Sequence, residues 1–382
     1  MIRLSSNFDS GAIEVVRADD PGAIEVRIRR DSHQDFTQWF HFRLQGARDA
    51  PCTIRFLNAG LCTYPRGWEG YRVVASYDRE HWFRVATSYE DGVMTVSHVP
   101  LRESIYYAYF EPYSWERHLG LLGLVENSPR ARVVGLGSTI EARDIDVVEV
   151  RGEVAGEAKR KSVWIIARQH PGETMAEWFV EGLVARLLDA SDPVARALLS
   201  LADFHIVPNM NPDGSVRGNL RTNVAGANLN REWLAPSMER SPEVFLVRER
   251  MEATGVDLFI DAHGDEALPY VFIAGSELLP HFTERQNVEQ AAFVEDFKNA
   301  SPDFQDRVGY PAGRYSEDAL KLASKWVGNR FGCLSLTLEM PFKDNANATD
   351  ETVGWNGARS KRLGEAILVA MLANLKRAAA NG

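Results

Sequence analysis

Val163-Trp164-Ile165-Ile166-Ala167 is an apolar run of strand length that leads directly into Arg168-Gln169-His170-Pro171-Gly172-Glu173. After it, across residues 174–188, Met175, Trp178, Phe179, Val180, Leu183 and Leu187 recur at helical spacing. A buried strand, a Pro-Gly turn and an amphipathic helix in that order constrain the chain to an α/β sheet with helices packed on it. His170 and Glu173 then sit where the strand ends and the helix begins, the edge at which open α/β sheets bind ligands. The His-x-x-Glu spacing can grip one metal ion across the turn. Taken alone it describes equally well a solvated histidine beside a helix-N-terminal glutamate favoured by the macrodipole.

A second feature limits the architecture. The chain has 382 residues, more than one ordinary core holds, so two domains are expected, at 1–113 and 114–382. In the first, runs such as Ile24-Glu25-Val26-Arg27-Ile28, Thr53-Ile54-Arg55-Phe56-Leu57 and Tyr71-Arg72-Val73-Val74-Ala75 alternate with turn formers at Asp20-Pro21-Gly22, Pro65-Arg66-Gly67 and Glu90-Asp91-Gly92. That pattern predicts an all-β antiparallel sandwich, with Trp39, Phe40, Phe42, Trp68, Tyr107 and Tyr109 as core rather than a sugar-stacking surface. From Ser114, which can cap a helix over residues 115–125, strand and helix signals alternate. Strands are expected at residues 147–150, 163–167, 204–208, 258–262 and 334–338, and a last helix carries the stripe Leu363, Ile367, Met371 and Leu375. The second domain is therefore α/β, with a mixed, mostly parallel sheet flanked by helices. Residues 275–323 lack clear periodicity and read as loop and short helix.

Composition excludes several function classes. The net charge of −10 argues against nonspecific nucleic-acid binding. No apolar run approaches the ~20 residues that span a bilayer, and the first residues, Met1 to Asp9, lack a signal-peptide core. Cys52, Cys62 and Cys333 form no Cys-x-x-Cys pair, which points to buried free thiols and a cytoplasmic setting.

Other motifs converge on the His-x-x-Glu turn. His263 ends the apolar run before Asp261-Ala262-His263-Gly264 and reaches the same sheet edge as His170. Two histidines, a glutamate and an open fourth position suit a catalytic zinc, which activates water near neutral pH. Asp261 either orients an imidazole or is satisfied by local backbone amides. Glu339, after Leu334-Ser335-Leu336-Thr337-Leu338, is a charged residue at a strand end, available to move a proton or simply solvated. Between them lie the Asn211-Pro212-Asp213-Gly214 turn, Arg217, Arg221 and Asn228-Leu229-Asn230-Arg231-Glu232-Trp233. Guanidiniums and amides in one loop-rich segment suit recognition of a carboxylate and of an oxyanion.

These motifs, with Gly218-Asn219-Leu220-Arg221 and Thr337-Leu338-Glu339, stand in the order found in zinc metallocarboxypeptidases of the carboxypeptidase A type. The chain most resembles the cytosolic carboxypeptidase subfamily, in which a β-sandwich precedes the catalytic domain. Phe8-Asp9-Ser10-Gly11, Trp39-Phe40-His41-Phe42-Arg43 and Tyr106-Tyr107-Ala108-Tyr109-Phe110-Glu111-Pro112-Tyr113-Ser114 are similar to patches of that sandwich. The resemblance implies one zinc ion on His170, Glu173 and His263, with Glu339 as general base and acid and Arg221 polarising the scissile carbonyl. It implies that Asn230 and Arg231 bind the C-terminal carboxylate of a peptide or protein tail. It also suggests Arg143 as a more distant substrate contact, although Ala142 stands where the family usually has glycine. Lys325 and Arg330 occupy the region where many cytosolic members carry a basic specificity residue. Tyr310 and Tyr315 are candidates for a tyrosine over the substrate, without a motif to assign either. Two other readings use the same residues: an N-acyl amino acid amidohydrolase on a related zinc fold, and a zinc- or peptide-binding protein without turnover.

Overall fold

The computed structural model describes residues 1–152, 160–277, 279, 282–311 and 316–380. Ten short strands precede the first long helix: β1 (Arg3–Ser5), β2 (Glu14–Arg17), β3 (Ile24–Arg27), β4 (His41–Gln45), β5 (Cys52–Phe56), β6 (Val74–Ser76), β7 (Trp82–Arg84), β8 (Ala86–Glu90), β9 (Val93–His98) and β10 (Ser104–Ala108). They form two five-stranded sheets, in the orders β1-β4-β10-β6-β7 and β2-β3-β5-β9-β8. Every pair is antiparallel except β3 with β5, which is parallel because a long excursion separates them in sequence. Trp39, Phe40, Phe42, Trp68, Tyr107 and Tyr109 are buried between the sheets, so the dense aromatics are core. Cys52, Cys62 and Cys333 are free and buried.

Ser114 accepts the Arg117 amide and starts α1 (Trp115–Glu126), as its position predicts. Seven strands follow: β11 (Ala131–Ser138), β12 (Asp144–Val150), β13 (Lys161–Ala167), β14 (Ala202–Val207), β15 (Leu258–Asp265), β16 (Phe272–Ala274) and β17 (Leu334–Pro341). Their order is β11-β12-β14-β13-β15-β17-β16. The inner four, β14-β13-β15-β17, are parallel, and the outer pairings are antiparallel. Helices α2 (Met175–Leu188), α3 (Pro193–Leu201), α4 (Pro212–Arg217), α5 (Pro242–Thr254), α6 (Glu284–Ala300), α7 (Ala323–Phe331) and α8 (Gly357–Ala380) complete the chain.

The continuous apolar run of β13 is explained by burial on both faces. Val163, Ile165 and Ala167 pack with Phe179, Leu183, Ile367 and Met371 of α2 and α8. Trp164 and Ile166 pack with Val244, Val247, Trp326 and Val327 of α5 and α7. Helices α2 and α8 cross very closely: a Cβ on Gly364 would stand 2.0 Å from the Phe179 carbonyl oxygen, so no larger residue fits without parting the helices. The sandwich shares the core of the α2/α8 face, and Tyr109 stacks on Phe342 with ring centroids 4.4 Å apart. Residues 284–300 depart from the sequence expectation, because they form a 17-residue helix closed by a Thr283–Gln286 capping box. Its buried stripe is Gln286, Gln290, Phe293 and Phe297, so half of it is polar and the apolar period is masked. Asn211-Pro212-Asp213-Gly214 likewise opens α4, with the Asn211 side chain accepting the Gly214 amide, rather than ending in a plain turn.

One buried acid makes stability depend on pH. Glu243, in the first turn of α5, is pushed up to about 8 by burial, which its 3.3 Å contact with Asn223 does not offset. Between about 4.5 and about 8 the folded chain holds a proton that the unfolded chain has released. Stability contributed at this position therefore falls as pH rises through that window, then levels off. Glu243→Gln removes the dependence. Urea unfolding at pH 9 is expected to show the variant more stable than the parent by a few kcal/mol, converging towards equality at pH 4.5.

Candidate active site

The carboxyl ends of β13, β15 and β17 lie side by side, with Ala167 opposite Ala262 and His263 opposite Glu339. Three side chains from remote sequence positions thereby meet. His170 Nδ1 lies 2.7 Å from Glu173 Oε1, and His263 Nδ1 lies 2.7 Å from Glu173 Oε2. The donor atoms of His170, Glu173 and His263 all fall within 4.8 Å of one another, and all three residues are buried.

The outer partners of the imidazoles fix what faces inward. Asp261 Oδ2 lies 2.9 Å from His263 Nε2, and Asn228 Oδ1 lies 3.0 Å from His170 Nε2. Asp261 and Asn228 can each accept a hydrogen from the Nε2 they face, which leaves the Nδ1 atoms as the ones turned toward Glu173. Two imidazole nitrogens and a carboxylate in mutual contact could hold one metal ion. Nitrogen and carboxylate donors with oriented outer shells suit Zn²⁺. Asp261 therefore orients an imidazole rather than folding onto local amides. Gln169 extends the support, donating to Asp261 at 2.8 Å and accepting Trp233 Nε1 at 2.8 Å.

The charges are coupled. Burial, with Arg221 nearby, holds His170 down at about 3. Burial alone would depress His263 too, but Asp261 and Glu173 outweigh it and push it up. Burial would raise Glu173, yet the two imidazoles hold it below the carboxylate range. Glu339 is the opposite case. Burial, reinforced by Glu173 and Asp265, pushes it well above the carboxylate range, and its Oε2 has no hydrogen-bond partner among the described residues. A buried carboxyl that binds its proton more tightly than usual and keeps a free oxygen is suited to proton transfer.

A cleft of about 900 Å³ opens over these groups and is also lined by Tyr64, Arg221, Asn230, Arg231, Glu266 and Tyr310. Arg221 NH1 stands 4.0 Å from Glu173 Oε1, and its guanidinium donates to no described residue. Asn230 accepts the Ala323 amide through Oδ1 at 2.9 Å, which turns its NH₂ group toward His263. Arg231 is exposed at the cleft. Lys325 lines the far end with Glu277 and Gln290, whereas Arg330 is spent on a surface pair with Glu252 and does not enter the cleft.

Arg143 lies outside the lining of this cleft, and its NH1 pairs with Asp213 at 2.7 Å and Glu141 at 2.8 Å. Ala142 before it has φ of 61°, which explains the usual glycine at this position. Tyr310 is anchored by its hydroxyl to Asp265 at 2.9 Å, while Tyr315 lies outside the described residues. Sequence reasoning missed Asp31, Tyr64 and Glu266, because nothing local marks them as neighbours of the site.

A family model described as zinc carboxypeptidase matches residues 122–353. The chain belongs to the zinc carboxypeptidase family. A cytosolic carboxypeptidase N-terminal domain model matches residues 4–110 of the same enzyme. The carboxypeptidase superposes on a metallo-carboxypeptidase from Burkholderia cenocepacia with a TM-score of 0.97, at 60% identity over 99% of this chain and 100% of the other. A Pseudomonas aeruginosa metallo-carboxypeptidase, solved with (2-guanidinoethylmercapto)succinic acid, gives 0.94 at 43% identity over 98% and 100%. An uncharacterized Zymomonas mobilis protein is 44% identical over 98% of this chain and 97% of its own length. Mouse cytosolic carboxypeptidase 3 is 26% identical over 71% of this chain, which spans 30% of that longer protein. These likenesses favour peptide C-terminal hydrolysis over the amidohydrolase and binding-protein readings. No helix among the described residues is long and apolar enough to cross a membrane.

Proposed function

We propose that this carboxypeptidase carries one zinc ion on His170, Glu173 and His263 and removes the last residue of peptides or protein tails. The convergence of two Nδ1 atoms on one buried carboxylate supports this reading most directly. Zinc bound there would activate water and polarise the scissile carbonyl. Asn230 and Arg231 hold the terminal carboxylate, so only the last peptide bond reaches Glu339. Arg221, whose guanidinium donates no hydrogen bond among the described residues, donates to the carbonyl oxygen as negative charge develops. Glu339 takes the proton of the attacking water and passes it to the departing amine. We also propose a domain boundary at 113/114 and a cytoplasmic setting, supported by the free buried thiols and the names of the cytosolic relatives.

The test is a peptide panel differing only in the last residue, read by mass. Loss of single C-terminal residues is expected from free carboxylates and not from C-terminal amides. Internal cleavage, or equal cleavage of the amides, would reject the assignment. Arg231→Ala is expected to raise KM by about tenfold to a hundredfold on free-carboxylate peptides with a smaller change in kcat, the signature of lost uniform binding.

A further inference from the structure

We infer that the β-sandwich is part of the catalytic machinery, because its Asp31 sets the position of Arg221. The inference rests on the role proposed above for Arg221. Asp31 is buried, and Oδ1 accepts the Leu220 amide at 2.6 Å. Its Oδ2 accepts the Arg221 amide at 2.7 Å, the Thr222 amide at 2.9 Å and the Thr222 hydroxyl at 3.1 Å. One carboxylate thus holds three consecutive backbone N–H groups that lie 189 to 191 residues further along the chain. Residues 220–222 are outside helices and strands, so no ladder fixes them. The sandwich side supplies the missing restraint.

The side chain is held from the same direction. The Arg221 guanidinium carbon lies 5.5 Å from the Tyr64 ring centroid and 6.0 Å from that of Phe36. With Asp31 on the backbone and two aromatic faces beside the guanidinium, the cation is aimed before substrate arrives. Adjoining contacts are consistent. Ser32 donates its amide and hydroxyl to Asn219 Oδ1, each at 3.1 Å, and Gly218, at φ of 68°, passes so close to the Ser10 carbonyl that a Cβ would stand 2.7 Å from it. The sandwich is therefore neither a spacer nor an inert wall of the cleft. Asp31 is a positioning residue that acts through Arg221 and touches no reacting atom.

A double-mutant cycle on the full-length zinc enzyme tests this. Asp31→Asn keeps the shape but turns an NH₂ group on at least one backbone donor. Its kcat is expected to fall about tenfold to a hundredfold, as for a misplaced catalytic group, with KM and zinc content near the parental values. In the Arg221→Ala background the same substitution should change kcat by less than about twofold, since the group it positions is gone. A merely structural role would give the same loss in both backgrounds, and that result overturns the inference, as does parental kcat in folded Asp31→Asn. Parental kcat in Arg221→Ala would instead reject the role of Arg221 itself. Should Asp31→Asn fail to fold, Tyr64→Leu replaces it in the cycle, because it removes a ring face without unpairing a backbone amide. A loss of roughly tenfold in kcat that vanishes in the Arg221→Ala background supports the inference. A loss that persists there, or none at all, overturns it.

Discussion

Glu339→Gln is expected to lower kcat by about a thousandfold or more while the protein keeps its zinc. Glutamine has the same shape, so the strand end, its register with His263 and the cleft wall are retained. What is lost is the ability to take a proton and return it. Burial, with Glu173 and Asp265 nearby, pushes the Glu339 carboxyl well up, so it holds a proton more readily than an ordinary carboxylate. Its Oε2 has no hydrogen-bond partner among the described residues, so Glu339→Gln should not destabilise the fold. Single-turnover kinetics and metal analysis on the same preparation separate the possibilities. Zinc near one equivalent with peptide bound and uncleaved is the expected result. A variant that turns over at the parental rate would remove Glu339 from the chemistry.

The residues that could be read from the sequence share a physical property. His170 follows an apolar strand closely, and His263 and Glu339 lie near the carboxyl ends of theirs, so local pattern alone places them at one edge. The parallel register of β13, β15 and β17 then brings them together in space. What could not be read was either masked or non-local. The helix 284–300 hides behind the glutamines of its buried stripe. Strand β11 is an edge strand with glycines at 135 and 137 and no continuous apolar face to detect. Asp31 sits in Arg29-Arg30-Asp31-Ser32, an ordinary polar loop, and its partners lie 189 to 191 residues away. The ion pair of Arg143 with Asp213, 70 residues away, is likewise invisible in the local motif. Local periodicity thus reveals strand-end ligands, while positioning groups become visible only after the chain has folded.

The largest effect should come from the metal cage itself. His263→Ala removes one of two imidazoles whose Nδ1 atoms stand 2.7 Å from the Glu173 carboxylate, leaving a nitrogen–carboxylate pair that holds zinc poorly. Activity is expected to vanish, and so is a second property that does not depend on turnover. A zinc ion on His170, Glu173 and His263 would favour the folded chain over the unfolded one, so adding it to chelator-treated parent should raise Tm. The His263→Ala protein should show little or no such rise. The two mutations therefore separate cleanly: Glu339→Gln keeps the zinc-dependent shift in Tm and loses chemistry, while His263→Ala loses both. Asp261→Asn should lie between them. It keeps an outer acceptor on His263 Nε2 but removes the charge that raises the basicity of the imidazole, and a loss of about tenfold to a hundredfold in zinc affinity is expected. If His263→Ala bound zinc as tightly as the parent, judged by the same shift, the cage would have to be drawn from other residues.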